Sequence, residues 1–146
     1  MNMNLSVLGI NFRTAPVEIR ERASFTAADV PVVLRRLYAE FPDTEVVLLS
    51  TCNRTEIYTS GIDVDRKRQT LIAILLKETD CDKLAAAEKH FYTKKDLAVA
   101  EHLLAVAAGL DSMVVGETEI LGQVKLAYQL AEQTRTRGKA LDPLFQ

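Results

Sequence analysis

A short polar stretch, residues 50–56, carries the side chains with the clearest capacity for chemistry. It follows an apolar run, residues 46–49, that predicts a buried strand. Cys52 therefore lies where a strand reaches the surface, and Arg54 follows two residues later. A nearby cation favours the thiolate, which is the nucleophilic form of cysteine, and a guanidinium can bind a carboxylate at two points. The stretch thus offers a candidate nucleophile and a candidate anion-binding group.

Each candidate residue also has an ordinary structural interpretation. A free cysteine is most often a small buried hydrophobe, and Arg54 is also consistent with a surface charge paired with Glu56. Cys81 lies between two aspartates and is interpreted as an inert surface thiol. His102 is either a partly solvated helical side chain or a proton carrier beside Cys52, because histidine exchanges protons near neutral pH.

Composition sets the broad class of protein. A chain of 146 residues with 48% hydrophobic residues is long enough for one domain with its own core. The net charge of −2 argues against binding nucleic acid by bulk electrostatics but leaves room for a local basic patch. The sequence shows no secretory signal and no apolar run of membrane-spanning length. We therefore expect a cytoplasmic, reduced protein without a membrane association, in which Cys52 is free.

The sequence lacks several familiar binding motifs. The six glycines form neither G-x-G-x-x-G nor a P-loop. No Cys/His cluster has metal-ligand spacing, so we expect no metal. The basic clusters at residues 66–68 and 135–139 are interpreted as solvated faces, with tRNA contact as the alternative.

Hydrophobic patterning predicts strands and helices in the first two thirds of the chain. Strands are expected at residues 5–12, 46–51, 57–59 and 91–92, and a short helix at 17–22. Residues 26–29 have the form of a capping box, with Asp29 as the alternative cap of a helix that ends at Pro42. Its inward residues are predicted to be Val30, Leu34, Leu37, Tyr38 and Phe41. A second helix is expected at 65–78, with Leu71, Ile74 and Leu75 inward, and residues 79–90 remain unassigned.

Only helices are predicted after residue 92. A cap-like signal at 93–96 precedes a helix whose inward face is predicted to be Leu97, Ala100, Leu104 and Ala108, ending at Gly109. The last long helix is expected from about residue 117 to 135, with Ile120, Val124, Ala127 and Ala131 inward. Mixed elements followed by helices alone predict an α+β subdomain followed by a helical one.

Three segments together resemble the glutamyl-tRNA reductase family. They are residues 49–58 (LSTCNRTEIY), 102–125 (HLLAVAAGLDSMVVGETEILGQVK) and 8–21 (LGINFRTAPVEIRE). The resemblance implies an N-terminal catalytic domain spanning 1–146, with a ferredoxin-like antiparallel sheet and a helical extension. It also implies that the NADPH-binding and dimerisation domains are absent from this chain.

The resemblance also implies a reaction. Members of the family reduce the glutamyl group of glutamyl-tRNA to glutamate-1-semialdehyde with NADPH, the first step of five-carbon tetrapyrrole (haem) biosynthesis. A cysteine thioester activates the acyl group for hydride, which a free carboxylate would resist. The family enzyme is a homodimer through its C-terminal helices, and a regulatory or downstream pathway protein is a further partner to consider.

Site residues are carried over by motif. Cys52 matches the nucleophile and His102 the histidine needed near it. The residues that match substrate contacts are Thr51, Asn53, Arg54, Ser112, Glu117, Thr118, Glu119 and Gln123. The sequence departs from the common pattern at Glu119, where glutamine is usual, and at Thr118, which is often proline. A carboxylate cannot donate the amide's hydrogen bond unless it is protonated, so a backbone contact is expected at position 119 and the contribution of its side chain stays open.

Two other classes of function compete with this hypothesis. In one, the chain only binds tRNA or a regulatory protein, without turnover. In the other, it is a structural α+β domain with an inert cysteine. The rate of Cys52 alkylation against pH separates a nucleophile from an inert cysteine. A midpoint well below the free-thiol value of about 8.5 favours the nucleophile, and a raised one favours a core residue.

Overall fold

The computed structural model describes residues 4–109 and 119–145. In these ranges the chain forms four strands and seven helices. In chain order they are β1 (Leu5–Asn11), α1 (Val17–Arg22), α2 (Asp29–Glu40), β2 (Glu45–Ser50), β3 (Arg54–Ser60), α3 (Val64–Leu76), α4 (Cys81–Glu88), β4 (Tyr92–Lys95), α5 (Leu97–Ala107), α6 (Glu119–Thr134) and α7 (Asp142–Phe145). All strands precede α5, so the predicted α+β class, with helices alone at the end, is confirmed.

The four strands form one sheet in the order β2-β3-β1-β4, and every neighbouring pair is antiparallel. Sheet and helices follow the β-α-β-β-α-β plan of ferredoxin-like domains, with each crossover containing two helices. The predicted ferredoxin-like sheet is therefore confirmed.

Strand β3, one of the two central strands, is buried on both faces of the sheet. Successive strand residues point to opposite faces, and here Thr55 donates a hydrogen bond to Ala23 O while Glu56 contacts α5. On the Glu56 face, Tyr58 packs edge-on against Phe145 of α7 at 5.4 Å between ring centres. The segment between β1 and β2 thus contacts one face of β3, and α5 and α7 contact the other. All seven residues of β3 are buried, polar ones included.

The beginning of α2 is confirmed by its hydrogen bonds. The hydroxyl of Thr26 accepts from Asp29 N, and the carboxylate of Asp29 accepts from Thr26 N, both at 3.2 Å. This is the reciprocal pattern of a capping box. Val30, Leu34 and Leu37 are buried as predicted, but Tyr38 is exposed and its inward assignment is wrong. The core-facing stripe of α2 is narrow, and Tyr38 lies outside it.

The inward face predicted for α5 is wrong. Leu97 and Leu104 are 73% and 71% exposed, whereas Val99, Leu103 and Val106 are buried. The helix is apolar on nearly every side, so the 3.6-residue spacing fits two stripes equally well. The cap-like signal before it is also wrong, because residues 93–95 complete β4 and Asp96 makes no side-chain cap bond.

The other helices agree better with prediction. In α6 the four predicted inward residues are the buried ones. The helix begins at Glu119 in the described residues, and positions 117 and 118, where its start was predicted, lie outside them. Helix α3 buries the predicted residues, and α4 occupies the stretch left unassigned. Arg68 is not simply solvated, since its guanidinium donates to Phe91 O and to the Thr93 hydroxyl, both at 2.5 Å.

Candidate active site

A tight turn between β2 and β3 presents Cys52. The hydroxyl of Thr51 accepts hydrogen bonds from the backbone N–H groups of Asn53 and Arg54, both at 3.1 Å. Thr51 N in turn donates to Arg54 O at 2.8 Å. These three bonds close the hairpin, so the hydroxyl of Thr51 shapes the turn. Cys52 is left at its tip.

The thiol of Cys52 is exposed and unbridged. Its own carbonyl accepts a hydrogen bond from Arg20 NH1 of α1 at 3.4 Å, which brings a second cation to the turn. Exposure excludes the interpretation of Cys52 as a buried core residue. Cys81 is also free and exposed, at the start of α4, as expected for a surface thiol.

The turn and α6 enclose a small cavity of about 40 Å³. Its lining includes every predicted site residue of the turn and both described ones of α6: Thr51, Cys52, Asn53, Arg54, Glu119 and Gln123. Segments more than 60 positions apart in sequence therefore meet beside the cysteine. Ser112, Glu117 and Thr118, the other predicted substrate contacts, lie outside the described residues.

Arg54 is not a surface charge. Its side chain is 2% exposed, and NH1 lies 3.3 Å from Oε2 of Glu56. The alternative of an exposed ion pair is therefore wrong, although the pairing with Glu56 is present. Arg54 therefore lines the Cys52 cavity and also forms a buried ion pair with Glu56.

The carboxylate of Glu56 is fully buried and is the centre of a hydrogen-bond network. Oε1 accepts from Tyr58 OH at 2.8 Å, and Oε2 accepts from Tyr92 OH and His102 Nε2 and lies near Arg54 NH1. Burial alone would raise the pKa of Glu56, but the hydrogen bond and charge of His102, the charge of Arg54 and the hydrogen bond from Tyr92 together hold it below its usual value. Glu56 is therefore an ionised, acceptor-only group.

The pKa of the neighbouring Tyr58 phenol shifts in the opposite direction. Burial, the charge of Glu56 and the hydrogen bond to Glu56 raise the pKa of Tyr58 well above its ordinary value. Tyr58 thus stays protonated and remains a donor to the carboxylate.

His102 lies on α5 and faces a cleft different from the Cys52 cavity. This cleft has a volume of about 530 Å³ and is lined by Asn11, Thr14, Tyr92, Lys94, Ala98, Glu101, His102 and Ala105. The side chain of His102 is mostly buried, so the interpretation as a partly solvated helical residue is wrong. Its ring nitrogen binds Glu56, and the chain His102–Glu56–Arg54 leads from this cleft to the Cys52 cavity.

Sequence reasoning missed the central role of Glu56, together with Tyr58 and Tyr92. The available signal was a carboxylate inside a strand flanked by apolar runs, a position where an ionised group requires several partners. Tyr58 lies two residues from Glu56 on the same face of β3. Tyr92 carries no such signal, because only the sheet register brings β4 beside β1 and β1 beside β3.

Acidic residues at the N-termini of the described helices disfavour binding of a dinucleotide phosphate there. Helix N-termini bind phosphate when their N–H groups are free, but α1 to α6 each carry an acid at the cap or in the first turn: Glu18, Asp29, Asp63, Asp80, Asp96 and Glu119. Across residues 4–109 and 119–145, no three His, Cys, Asp or Glu side chains come together as metal ligands. No helix in the same ranges has the length and apolar character needed to cross a membrane.

The fold and site define an α+β domain that presents an accessible cysteine beside a buried Arg–Glu–His chain. The family described as glutamyl-tRNAGlu reductase, N-terminal domain, matches residues 8–146. The chain belongs to this family, as the resemblance predicts.

Similar proteins agree with the family assignment. Glutamyl-tRNA reductases of Salinispora tropica and Geobacillus thermodenitrificans are each 43% identical over 144 residues, covering 99% of this chain and 31% of the relative. The solved structure of the glutamyl-tRNA reductase from Methanopyrus kandleri matches 98% of this chain and 32% of that one, with 35% identity and a TM-score of 0.75. The chain thus spans about a third of the length of the curated relatives it matches.

Proposed function

We propose that this chain, residues 1–146, is the catalytic domain of a glutamyl-tRNA reductase and that Cys52 takes the glutamyl group from glutamyl-tRNA as a thioester. The observation that carries the proposal is the exposed thiol at the tip of the β2–β3 turn, in a cavity shared with polar side chains of α6. A nucleophile needs this combination of access and adjacent binding groups.

The acyl transfer proceeds at one carbonyl carbon. The thiolate of Cys52 attacks the ester carbonyl that joins glutamate to the tRNA ribose, and the carbon–oxygen bond to the ribose breaks. A C–S bond forms, and the ribose oxygen leaves with a proton. The resemblance assigns proton transfer or carbonyl polarisation to His102, but here His102 reaches the Cys52 cavity only through Glu56 and Arg54, so a direct contact with the carbonyl requires a change from this arrangement.

Substrate contacts are assigned around the nucleophile. Arg54 supplies the positive charge that suits the side-chain carboxylate of the glutamyl group. Thr51 holds the turn, and Asn53 and Gln123 line the same cavity with amide groups. Glu119 lies there too, and Ser112, Glu117 and Thr118 are proposed on the resemblance alone.

Reduction to the aldehyde needs a hydride, which NADPH would supply when bound. Acids at the helix N-termini disfavour binding of its phosphates there. The NADPH site, a dimer interface and any regulatory or downstream protein partner are proposed on the resemblance alone. We also propose a cytoplasmic location, since both exposed cysteines are free thiols.

Acyl transfer can be tested with glutamyl-tRNA labelled in the glutamyl group. The chain is mixed with it, quenched, and mapped by peptide mass. Cys52→Ser and Cys81→Ser form a matched pair, because both cysteines are exposed. We expect label on Cys52 in the wild type and in Cys81→Ser, and none in Cys52→Ser.

Two results would contradict the proposal. Label distributed over both cysteines would indicate nonspecific thiol exchange. No label on a folded chain, with glutamyl-tRNA intact, would show that these residues do not carry out the transfer and would favour a binding role.

A further inference from the structure

The carboxylate of Glu56 joins three elements around one point in the protein. It is 0% exposed, and its hydrogen-bond donors come from β3 (Arg54 and Tyr58), β4 (Tyr92) and α5 (His102). Burying an ionised carboxylate is unfavourable unless all its partners are in place. A well-packed apolar residue would be an easier way to fill this position, so the network calls for a role beyond packing.

The network fixes the position of one proton on His102. An ionised carboxylate only accepts hydrogen bonds, so the ring nitrogen that contacts it, Nε2, must carry hydrogen. This holds whether the imidazole is neutral or charged. Nδ1 is then the ring nitrogen at which a proton can be gained or lost. The ring of Tyr92 lies 5.6 Å from that of His102, which limits the imidazole's tilt.

The same carboxylate also restrains Arg54. Oε2 lies 3.3 Å from NH1, and the guanidinium is almost entirely buried. Because Arg54 lines the Cys52 cavity while His102 lines the other cleft, Glu56 is the group shared between them. Movement of this one carboxylate would disturb both the cation beside the nucleophile and the orientation of the imidazole.

We propose that Glu56 is a positioning residue that holds His102 with its Nε2 proton directed into the sheet and Nδ1 left for proton exchange, and that also fixes Arg54 beside Cys52. Glu56 itself does not touch the substrate. The assignment rests on the proposed acyl transfer for its catalytic consequence, whereas the proton placement on His102 is a property of the folded chain alone.

Proton NMR tests the placement without any activity measurement. A hydrogen held between His102 Nε2 and a buried carboxylate should give a downfield resonance that exchanges slowly with water. We expect this resonance in the wild type and its loss in His102→Gln and Glu56→Gln. Glu101→Gln is the matched control, because it removes a carboxylate from the same cleft on the exposed side of α5, and it should retain the resonance.

Acyl transfer tests the catalytic consequence. In Glu56→Gln the first-order rate of transfer onto Cys52 at saturating glutamyl-tRNA should fall about tenfold or more, up to the roughly 10²–10⁴-fold that an acid–base group itself contributes. The substrate concentration that gives half the maximal rate should change much less. Iodoacetamide labelling of Cys52 serves as the check that the turn is intact. If Glu56→Gln fails to fold, Glu56→Asp replaces it, because its shorter side chain draws the carboxylate away from His102.

The outcomes separate the two proposals. A downfield resonance that persists in a folded Glu56→Gln or Glu56→Asp, or a wild-type transfer rate in either, would overturn the positioning role. Loss of the resonance with a slowed transfer supports it. A wild type that shows the resonance but never acylates Cys52 would refute the proposed function while leaving the proton placement supported.

Discussion

Gly9 lies directly opposite Glu56 across the β1–β3 pair, and it faces Tyr92 across the β1–β4 pair. A Cβ built on Gly9 would lie 2.7 Å from Cγ of Glu56 and 2.6 Å from Thr55 O. The Glu56 side chain therefore passes over the bare backbone of β1 to reach Tyr92 on the next strand. The absence of a side chain at position 9 makes the buried network possible.

The first prediction concerns this close approach. Gly9→Ala places a methyl group against backbone and a buried side chain, so the sheet or Glu56 must shift. We expect a loss of about 1–3 kcal/mol in the free energy of unfolding, the usual size of an overpacking effect. Urea denaturation measures it.

A glycine in an open position provides the control for Gly9→Ala. Gly122 lies inside α6, and a Cβ there would meet nothing within 4 Å. Gly122→Ala should stabilise the protein by up to about 1 kcal/mol through helix propensity. Equal effects of the two substitutions would show that Gly9 has no special packing role.

The second prediction uses two adjacent leucines of α5. Leu103 is 3% exposed and packs in the core, whereas Leu104 is 71% exposed. Leu103→Ala should destabilise the protein by about 2–5 kcal/mol because it leaves a cavity, and Leu104→Ala should change stability by less than about 0.5 kcal/mol. Thermal or urea unfolding of both variants decides between the two faces of α5. If Leu104→Ala were the more destabilising variant, the inward face predicted from periodicity, which contains Leu104, would be correct.

Helix α6 shows what the sequence can determine about the fold. The polar residues Gln123, Lys125, Gln129, Glu132 and Gln133 are all exposed and mark its outer side. The predicted stripe of Ile120, Val124, Ala127 and Ala131 is buried, although Leu121 and Leu126 are each 44% exposed. Helix α5 lacks this contrast, and packing against α6, β4 and β1 selects its inward face. The α+β order and the strand-forming runs were predictable because, as in α6, apolar and polar positions are clearly distinguished in the sequence. The boundaries and the assignment of residues 93–96 depended on pairing with β1.

Local patterns alone predict the site only in its linear part, and Glu119 and Gln123 were added through the family resemblance. The turn around Cys52 forms from adjacent residues, and Thr51 to Arg54 appear together in the sequence as in the cavity. The meeting of Glu56 with Tyr92 and His102 depends on the register of two strand pairs and the position of α5. No local pattern encodes such distances. That is why His102 was expected beside Cys52 although the structure connects it to the cavity through Glu56 and Arg54.

The third prediction concerns alkaline pH and Tyr58. The folded protein raises the pKa of this phenol above its ordinary value of 10.0, so folding favours the protonated form. Its contribution to stability is complete below about pH 10 and is lost as the pH rises toward the folded-state value. Tyr58→Phe should cost about 1.5–3 kcal/mol near neutrality, because a charged acceptor loses a donor, and this difference should shrink above pH 10. Unfolding curves of both proteins at several alkaline pH values test it. A constant difference would show that Tyr58 is not coupled to the carboxylate.

The fourth prediction concerns acid and Glu56. The folded state lowers the pKa of this carboxyl below its ordinary value of 4.5, so the folded protein binds the proton less well than the unfolded chain. Stability from Glu56 is therefore complete above about pH 4.5 and is lost as the pH falls toward the lower, folded-state value.

Comparison with Glu56→Gln isolates this acid-dependent contribution. Asp29 and Glu78 also have lowered pKa values, through hydrogen bonds to Thr26 and to the N–H groups of Asp80 and Thr79, but they are present in both proteins. The stability difference between wild type and variant should be large near neutrality and should narrow as the pH falls below about 4.5. Denaturant unfolding from neutral to acidic pH measures the difference directly. Parallel curves would show that folding leaves the pKa of Glu56 unchanged. If the difference instead widened as the pH fell, Glu56 would be neutral in the folded protein, and the acceptor role that places hydrogen on His102 Nε2 would lose its basis.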